Sequence, residues 1–248
     1  MDIDFVGVEN LRGQCTSFVI DGHILFDCGF GTVRTLIDRG LYKKIDIVVI
    51  SHNHSDHVGD MNYFIQHQYP ILPQKPLIII GPPNTKTYLE NFNKAVLGSD
   101  TIEIGPIIEY HNKVMENLVE LTDNQTFDIG GMIIKTFPVE HGSSVGNGYI
   151  FEINGTKIGC TGDTRYCDSV AENIKNADTW IIDASHISEK DHKRHTSLER
   201  VIEIAKLYPD KKFYTVHRSP SKYKDFNGKL PPNVFMPNNG DCVTFCEQ

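Results

Sequence analysis

The sequence predicts an α/β (α+β) fold, and three observations carry that expectation. Apolar, β-branched runs such as Ile45-Asp46-Ile47-Val48-Val49-Ile50 and Leu77-Ile78-Ile79-Ile80 have the composition of buried strands. Such runs are followed by polar loops and then by stretches that can be read as helix, a rhythm that the later half repeats. A chain of 248 residues with 40% apolar content can bury a full core. No low-complexity linker divides it, so residues 1–248 are expected to form one domain.

Taken in order, strand-like runs at 5–8, 18–20 and 23–26 open the chain, with Asp21-Gly22 as a hairpin turn between the last two. Asp27 follows that hairpin, either supporting the site from behind or capping a helix over 33–39. After the run at 45–50, Met61 opens a helix to residue 68. Beyond the strand at 77–80, Asn84 or Thr85 can cap a helix reaching about residue 96. The stretch 102–128 is mixed in character. Strands are expected at 132–137, at 149–153 and 156–160 about an Asn154-Gly155 turn, at 180–183 and at 212–216, with a last short one at 242–245. Between them, Thr196 and Glu199 are spaced as a capping box for a helix whose buried face holds Leu198, Val201, Ile202 and Ala205.

The densest chemistry lies in Ser51-His52-Asn53-His54-Ser55-Asp56-His57. Three imidazoles and a carboxylate this close repel when protonated and cost desolvation when buried, unless a cation holds them deprotonated. Their spacing does not fit one helical face, so a turn must wrap them around the ions. Further polar residues follow later strands: His141, Asp163 and His217. A crevice at parallel strand ends gathers such residues from distant parts of a chain. The isolated His23, His67 and His111 read as ordinary surface or core residues.

Composition limits the setting. No apolar run approaches the 18 or so residues of a membrane span, and the acidic start lacks a signal peptide's basic region, so a cytoplasmic location is expected. Six cysteines without a Cys-x-x-Cys pair read as reduced thiols, with Cys242 and Cys246 as packing residues. A net charge of −8 argues against a long phosphate-tracking surface.

With these residues collected, the chain resembles the metallo-β-lactamase superfamily along nearly its whole length. The resemblance implies a four-layer αββα metallo-β-lactamase sandwich of two similar halves, with a dinuclear zinc site along one edge. It implies that His52, His54 and His141 hold one ion and Asp56, His57 and His217 the other, with Asp163 bridging. Manganese or iron suits the same ligands.

Within that superfamily, Gly162-Asp163-Thr164-Arg165, Ile182-Asp183-Ala184-Ser185, His195-Thr196-Ser197 and Val216-His217-Arg218-Ser219-Pro220 are similar to the ribonuclease Z group. Asp183 stands where that group has glutamate, and His195 matches its additional active-site histidine. The implied catalytic residues are Asp56, aligning or deprotonating the attacking water, and His195, oriented by Asp183 and serving the leaving oxygen.

The tRNA-processing members carry a long arm between the residues matching His141 and Asp163, and here the 149–160 hairpin fills that interval. The compact pattern looks like the phosphodiesterases that open cyclic mononucleotides, including phage-encoded anti-Pycsar enzymes that destroy cyclic pyrimidine signals. The expectation is hydrolysis of 3′,5′-cyclic mononucleotides such as cCMP and cUMP to 5′-monophosphates, in the host cytoplasm if the gene is carried by a phage. The alternatives are a ribonuclease Z-type tRNA 3′-end endonuclease, and a non-phosphate ester hydrolase or metal-binding protein without turnover. The resemblance further implies a homodimer, to which the loop at 222–231 can contribute.

Overall fold

The computed structural model describes residues 1–10, 14–68, 77–97, 105–191 and 193–245. The first half holds strands β1 (Asp2–Gly7), β2 (Ser17–Ile20), β3 (Ile24–Phe26), β4 (Ile47–Val49), β5 (Ile78–Gly81) and β6 (Val119–Glu120). Its helices are α1 (Thr32–Asp38), α2 (Ser55–Val58), α3 (Met61–Gln68), α4 (Thr85–Leu97) and α5 (Gly105–Glu116). The second half holds β7 (Thr126–Ile129), β8 (Met132–Pro138), β9 (Asn147–Ile153), β10 (Thr156–Cys160), β11 (Thr179–Asp183), β12 (Lys212–Val216), β13 (Val234–Phe235) and β14 (Cys242–Thr244). Its helices are α6 (Asp168–Asn173), α7 (Leu198–Leu207) and α8 (Pro220–Tyr223).

Two mixed seven-stranded sheets result, ordered β14-β1-β2-β3-β4-β5-β6 and β13-β12-β11-β10-β9-β8-β7. Read from opposite ends, the two orders match pairing for pairing. Antiparallel β2-β3 corresponds to β9-β10, and parallel β3-β4-β5-β6 to β10-β11-β12-β13. The matching hairpins turn on Asp21-Gly22 and Asn154-Gly155, whose residues all have positive φ, the geometry that closes a two-residue hairpin.

Between the sheets lies an apolar layer in which Phe18, Phe26 and Val49 meet Tyr149, Phe151, Ile158 and Val216. Phe26 stacks on Phe18 at 4.7 Å and meets Tyr149 edge-on at 5.8 Å, an arrangement that the aromatic quadrupole favours. A second cluster, with Leu36, Phe64, Leu89 and Val114, packs helices on the outer face of the first sheet. A third, around Trp180, Val201 and Phe213, does so on the second. The fold is thus an α/β sandwich of two helix-flanked sheets.

Most strands and helices fall where the sequence placed them, and four details differ. The capping box is displaced: Ser197, not Thr196, caps α7 by accepting the Arg200 amide at 3.1 Å, while Thr196 Oγ1 donates to the Thr164 carbonyl at 2.8 Å. On α7 the fourth buried position is Ile204, and Ile202 lies at the flank, only partly buried. The mixed stretch at 102–128 contains α5, β6 and β7; Gly105-Pro106 opens the helix, where proline's missing N–H costs nothing. Cys242 is exposed, because its strand is the sheet's outer edge, so it is not a packing residue. Cys246 lies outside the described residues.

Gly159 allows the β10–β11 contact, since a Cβ there would lie 2.5 Å from the ring of the buried Trp180. Overpacking of this kind costs about 1–3 kcal/mol. Thermal melts of Gly159→Ala should show that loss as a lowered Tm, with the metal content of the surviving fold unchanged.

Candidate metal centre

Every polar residue collected from the sequence converges where the strand ends of the two sheets face each other. After β4, Ser51 and His52 continue the strand direction. His54 then takes the N-cap position of α2 in extended conformation, and the single turn at Ser55–Val58 swings Asp56 and His57 inward. Gly29 makes room for that turn, because a Cβ there would lie 1.9 Å from the Asp56 carbonyl oxygen. His141 follows β8, Asp163 follows β10, Asp183 ends β11, and His217 follows β12 with φ of 59°.

Two groups form. In the first, His52 Nε2 and His141 Nε2 stand 2.9 and 3.3 Å from His54 Nδ1. His141 Nδ1 donates to the Arg194 carbonyl at 3.1 Å, which leaves the lone pair on the inward nitrogen. His52 Nδ1 and His54 Nε2 are engaged by the hydroxyls of Ser51 and Ser144. In the second group, His57 Nδ1 donates to Asp27 Oδ2 at 2.7 Å, which turns its buried Nε2 inward. That atom lies 3.3 Å from Asp163 Oδ2 and 3.8 Å from Asp56 Oδ2, while His217 Nε2 lies 3.2 Å from both carboxylates.

Asp163 Oδ2 also lies 3.9 Å from His52 Nε2 and from His141 Nε2, between the two groups. Inward lone pairs at these separations repel each other and are drawn to a cation. Three imidazoles in one group, and two imidazoles with two carboxylates in the other, are donor sets that hold zinc-like ions. The residues therefore fit metal. Asp163, Asp183, His195 and His217 form a further compact group beside them.

Asp183 is fully buried and its shorter side chain suffices: Oδ2 lies 2.8 Å from His195 Nδ1. The carboxylate also accepts the amides of Thr164 and Ser185, both at 3.0 Å. His195 stacks on His217, with ring centroids 4.9 Å apart and planes at 13°.

Protonation follows from these partners. Burial, joined by the neighbouring imidazoles, holds His52 well below the ordinary histidine range, and burial also lowers His141. Burial opposes the charge on His57 too, yet Asp163 and Asp27 together push it well above. For His195, burial is again opposed and outweighed by Asp183, which lifts the imidazole to about 9.

Asp27 supports His57 from behind rather than capping a helix: with φ of 55° it accepts the Ser51 amide at 2.7 Å, the Ser51 hydroxyl at 2.8 Å and His57. Sequence reasoning passed over Ser51, Ser144 and the Arg194 carbonyl. Ser51 could have been found as the first residue of the histidine run, whereas a backbone acceptor leaves no sequence signal. The isolated histidines take ordinary places: His23 pairs with Asp46 at 2.8 Å, His67 lies tilted against the Tyr63 ring, and His111 is buried.

The profile of the beta-lactamase superfamily domain matches residues 23–218. The chain belongs to the beta-lactamase superfamily. Among its relatives, ribonuclease Z of Pyrococcus horikoshii is 27% identical over 263 residues, covering 89% of this chain and 86% of that enzyme. Ribonuclease Z of Sulfolobus acidocaldarius is 25% identical, covering 79% and 78%. The first alignment is longer than this whole chain, so the relative carries inserted residues that are missing here.

Among solved structures, the short form of human tRNase Z superposes with a TM-score of 0.73 at 20% identity, covering 98% of this chain and 99% of that one. A diphosphatase of the PhnP family gives 0.74 at 18% identity, covering 98% and 97%. These likenesses place the fold in the metallo-β-lactamase class, and the sequence is similar to relatives named ribonuclease Z. No helix among the described residues is long and apolar enough to cross a membrane.

Asp27→Asn should weaken metal affinity about 10- to 100-fold, the usual cost of losing a carboxylate behind a ligating histidine. Competition with a chromophoric chelator measures this. Proton linkage gives a second expectation. His57 and His195 have raised folded pKa values, so their pairs stabilise the metal-free protein fully below the unfolded histidine value of about 6.5. That stability is lost as pH climbs through the folded value of about 9 for His195. Cation binding strengthens over the same climb because it must expel the His57 proton. The gap between the Tm of metal-loaded and chelated protein should widen with rising pH; a constant gap would contradict these assignments.

Proposed function

We propose that the protein is a metal-dependent phosphodiester hydrolase of the ribonuclease Z type. The observation that carries this reading is His195, held by Asp183 at 2.8 Å and stacked against His217 at the edge of the two ligand groups. Mere metal binding has no use for an additional imidazole held in place by a buried carboxylate beside the ligands.

In this reading His52, His54 and His141 would hold one divalent cation, zinc foremost, and Asp56, His57 and His217 a second, with Asp163 available to both. When bound, they supply Lewis acidity and an acidified water. Asp56, whose Oδ2 lies beside both His57 and His217, aligns that water and accepts its proton. His195 gives its proton to the departing ribose 3′ oxygen as the phosphorus–oxygen bond breaks, leaving a 3′-hydroxyl and a 5′-phosphate. Asp183 keeps the imidazole oriented and charged for that step.

For the substrate, relatives that carry the name ribonuclease Z support the RNA 3′-end alternative better than the cyclic mononucleotide expected from the sequence. They also count against the expectation that long nucleic acid is not a partner. One observation still favours a small cyclic substrate. The interval between His141 and Asp163 is filled by β9 and β10 joined through a two-residue turn, which gives no length for a gripping arm. The homodimer belongs to the same proposal, as a partner chain could shield the exposed His54 side; light scattering that finds a fully active monomer would remove it.

Purified protein should carry two metal equivalents per chain and should hydrolyse either precursor tRNA or one of a panel of 3′,5′-cyclic mononucleotides. His195→Ala should lower turnover on that substrate about a hundredfold or more, the scale of a lost general acid, with metal content intact. Against bis(p-nitrophenyl) phosphate, whose phenolate leaves without a proton, the same substitution should matter much less. Equal losses on both substrates would mean that His195 stabilises the phosphoryl group instead. No loss on either would return it to an ordinary loop residue.

A further inference from the structure

We infer that the cleft beside His195 is the seat of the ribonucleoside whose 3′ oxygen departs. The inference rests on the proposed role of His195 toward the leaving oxygen. One flank of His195 meets the rings of His141 and His217, at 4.7 and 4.9 Å between centroids. The same residue lines a cavity of about 590 Å³ with Arg165, Tyr166, Glu189, Lys193 and Arg200. That volume lies within the range of about 300–1,000 Å³ found for small-ligand pockets. A phosphodiester seated at the ligand groups, with its leaving oxygen at His195, has to send the attached group past that imidazole, and this cavity receives it.

The lining suits one nucleoside better than a run of phosphates. Both guanidiniums are already committed: Arg165 to Glu140, and Arg200 to Glu189 at 2.7 and 2.8 Å and to Glu203 at 2.7 Å. Their charges are therefore largely balanced within the wall. What they offer instead is flat surface, for Arg200 lies over the Tyr166 ring, 5.4 Å from its centroid. Unstacked bases are held against such aromatic and guanidinium planes. Lys193 is exposed and has no carboxylate partner among the described residues, so its ammonium can meet the one phosphate that continues from the bound nucleoside.

Two esters of uridine separate the sides of the scissile bond. In the dinucleoside monophosphate UpU, the group that leaves through its 3′ oxygen is a nucleoside. In the p-nitrophenyl ester of uridine 5′-phosphate, the nucleoside stays with the phosphate and only a phenolate leaves. Tyr166→Leu should raise KM for UpU about tenfold, the lower end of what a lost base stack costs, with little change for the p-nitrophenyl ester. Lys193→Glu lies on the surface and does not risk the fold. It should raise KM for a trinucleotide, which carries a further phosphate on the leaving side, more than for UpU.

Equal effects on UpU and the p-nitrophenyl ester would place the cleft on the wrong side of the bond and overturn the inference. So would unchanged KM values in both variants, while leaving the proposed hydrolase intact. Wild-type protein that is metal-loaded yet hydrolyses neither ester, nor precursor tRNA, nor any of the cyclic mononucleotides, would remove the underlying reading, and the inference with it.

Discussion

One buried imidazole clamped between two carboxylates underlies the arrangement of the whole site. His57 is fully buried, with Asp27 behind it at 2.7 Å and Asp163 before it at 3.3 Å. Charges taken out of water at this depth are costly unless paired, and here His57 is paired on both sides, by a hydrogen bond to Asp27 and by the nearby charge of Asp163. Asp27 follows β3 and Asp163 follows β10, which are corresponding strands of the two sheets. The clamp therefore joins the halves, and the apolar layer between the sheets fixes its span.

Correspondence of the halves does not extend to their chemistry. The loop after β4 carries four of the polar residues, while its counterpart β11 ends in Asp183 and is followed by a loop that leads to His195. The end of β5 passes into Gly81-Pro82-Pro83 and brings no ligand, whereas its counterpart β12 brings His217. Asp27 and His217 both adopt left-handed backbone, a conformation that costs energy for residues with a Cβ and persists only where surrounding contacts overdetermine it. At Asp27 those contacts are its three side-chain hydrogen bonds. At His217 the neighbouring Arg218 supplies them, bonded to the carbonyls of Thr215 and Pro237. Strain is held at two points on the rim so that a carboxylate and an imidazole can point inward.

How much of this could be read from the sequence depended on the range of each interaction. The ligand groups were legible because four of their members lie in six residues and the others each follow a strand of obvious composition. Asp27 was left undecided between cap and support, since its partners Ser51 and His57 are more than twenty residues away. The cap of α7 was misplaced by one residue because the sequence offers two hydroxyls in a row. Tertiary contact chose between them when Thr196 was drawn to the Thr164 carbonyl. The helix α5 lay within the stretch read as mixed, although its buried face, Tyr110, His111, Val114 and Met115, keeps helical spacing.

The acidity of the chain bears on how a substrate is gripped rather than on whether it is cleaved. A net charge of −8 repels a polyanion at distances set by the Debye length, and salt screens most of that beyond about 10 Å. Within the site the sum is different. Asp56 and Asp163 are the carboxylates of the two candidate groups, and on the proposed reading two divalent cations would outweigh their charge. A single phosphodiester would then be drawn to a positive depression in a negative surface. Relatives named ribonuclease Z are reconciled with that surface if a longer RNA is held chiefly near the scissile bond, by a few close contacts in place of a basic track. Such binding would have a shallow dependence on salt, because few phosphates would be neutralised. On the proposed reading, the acidic exterior and the compact β9–β10 hairpin would both favour a site that recognises only what lies within a nucleotide or two of the scissile bond.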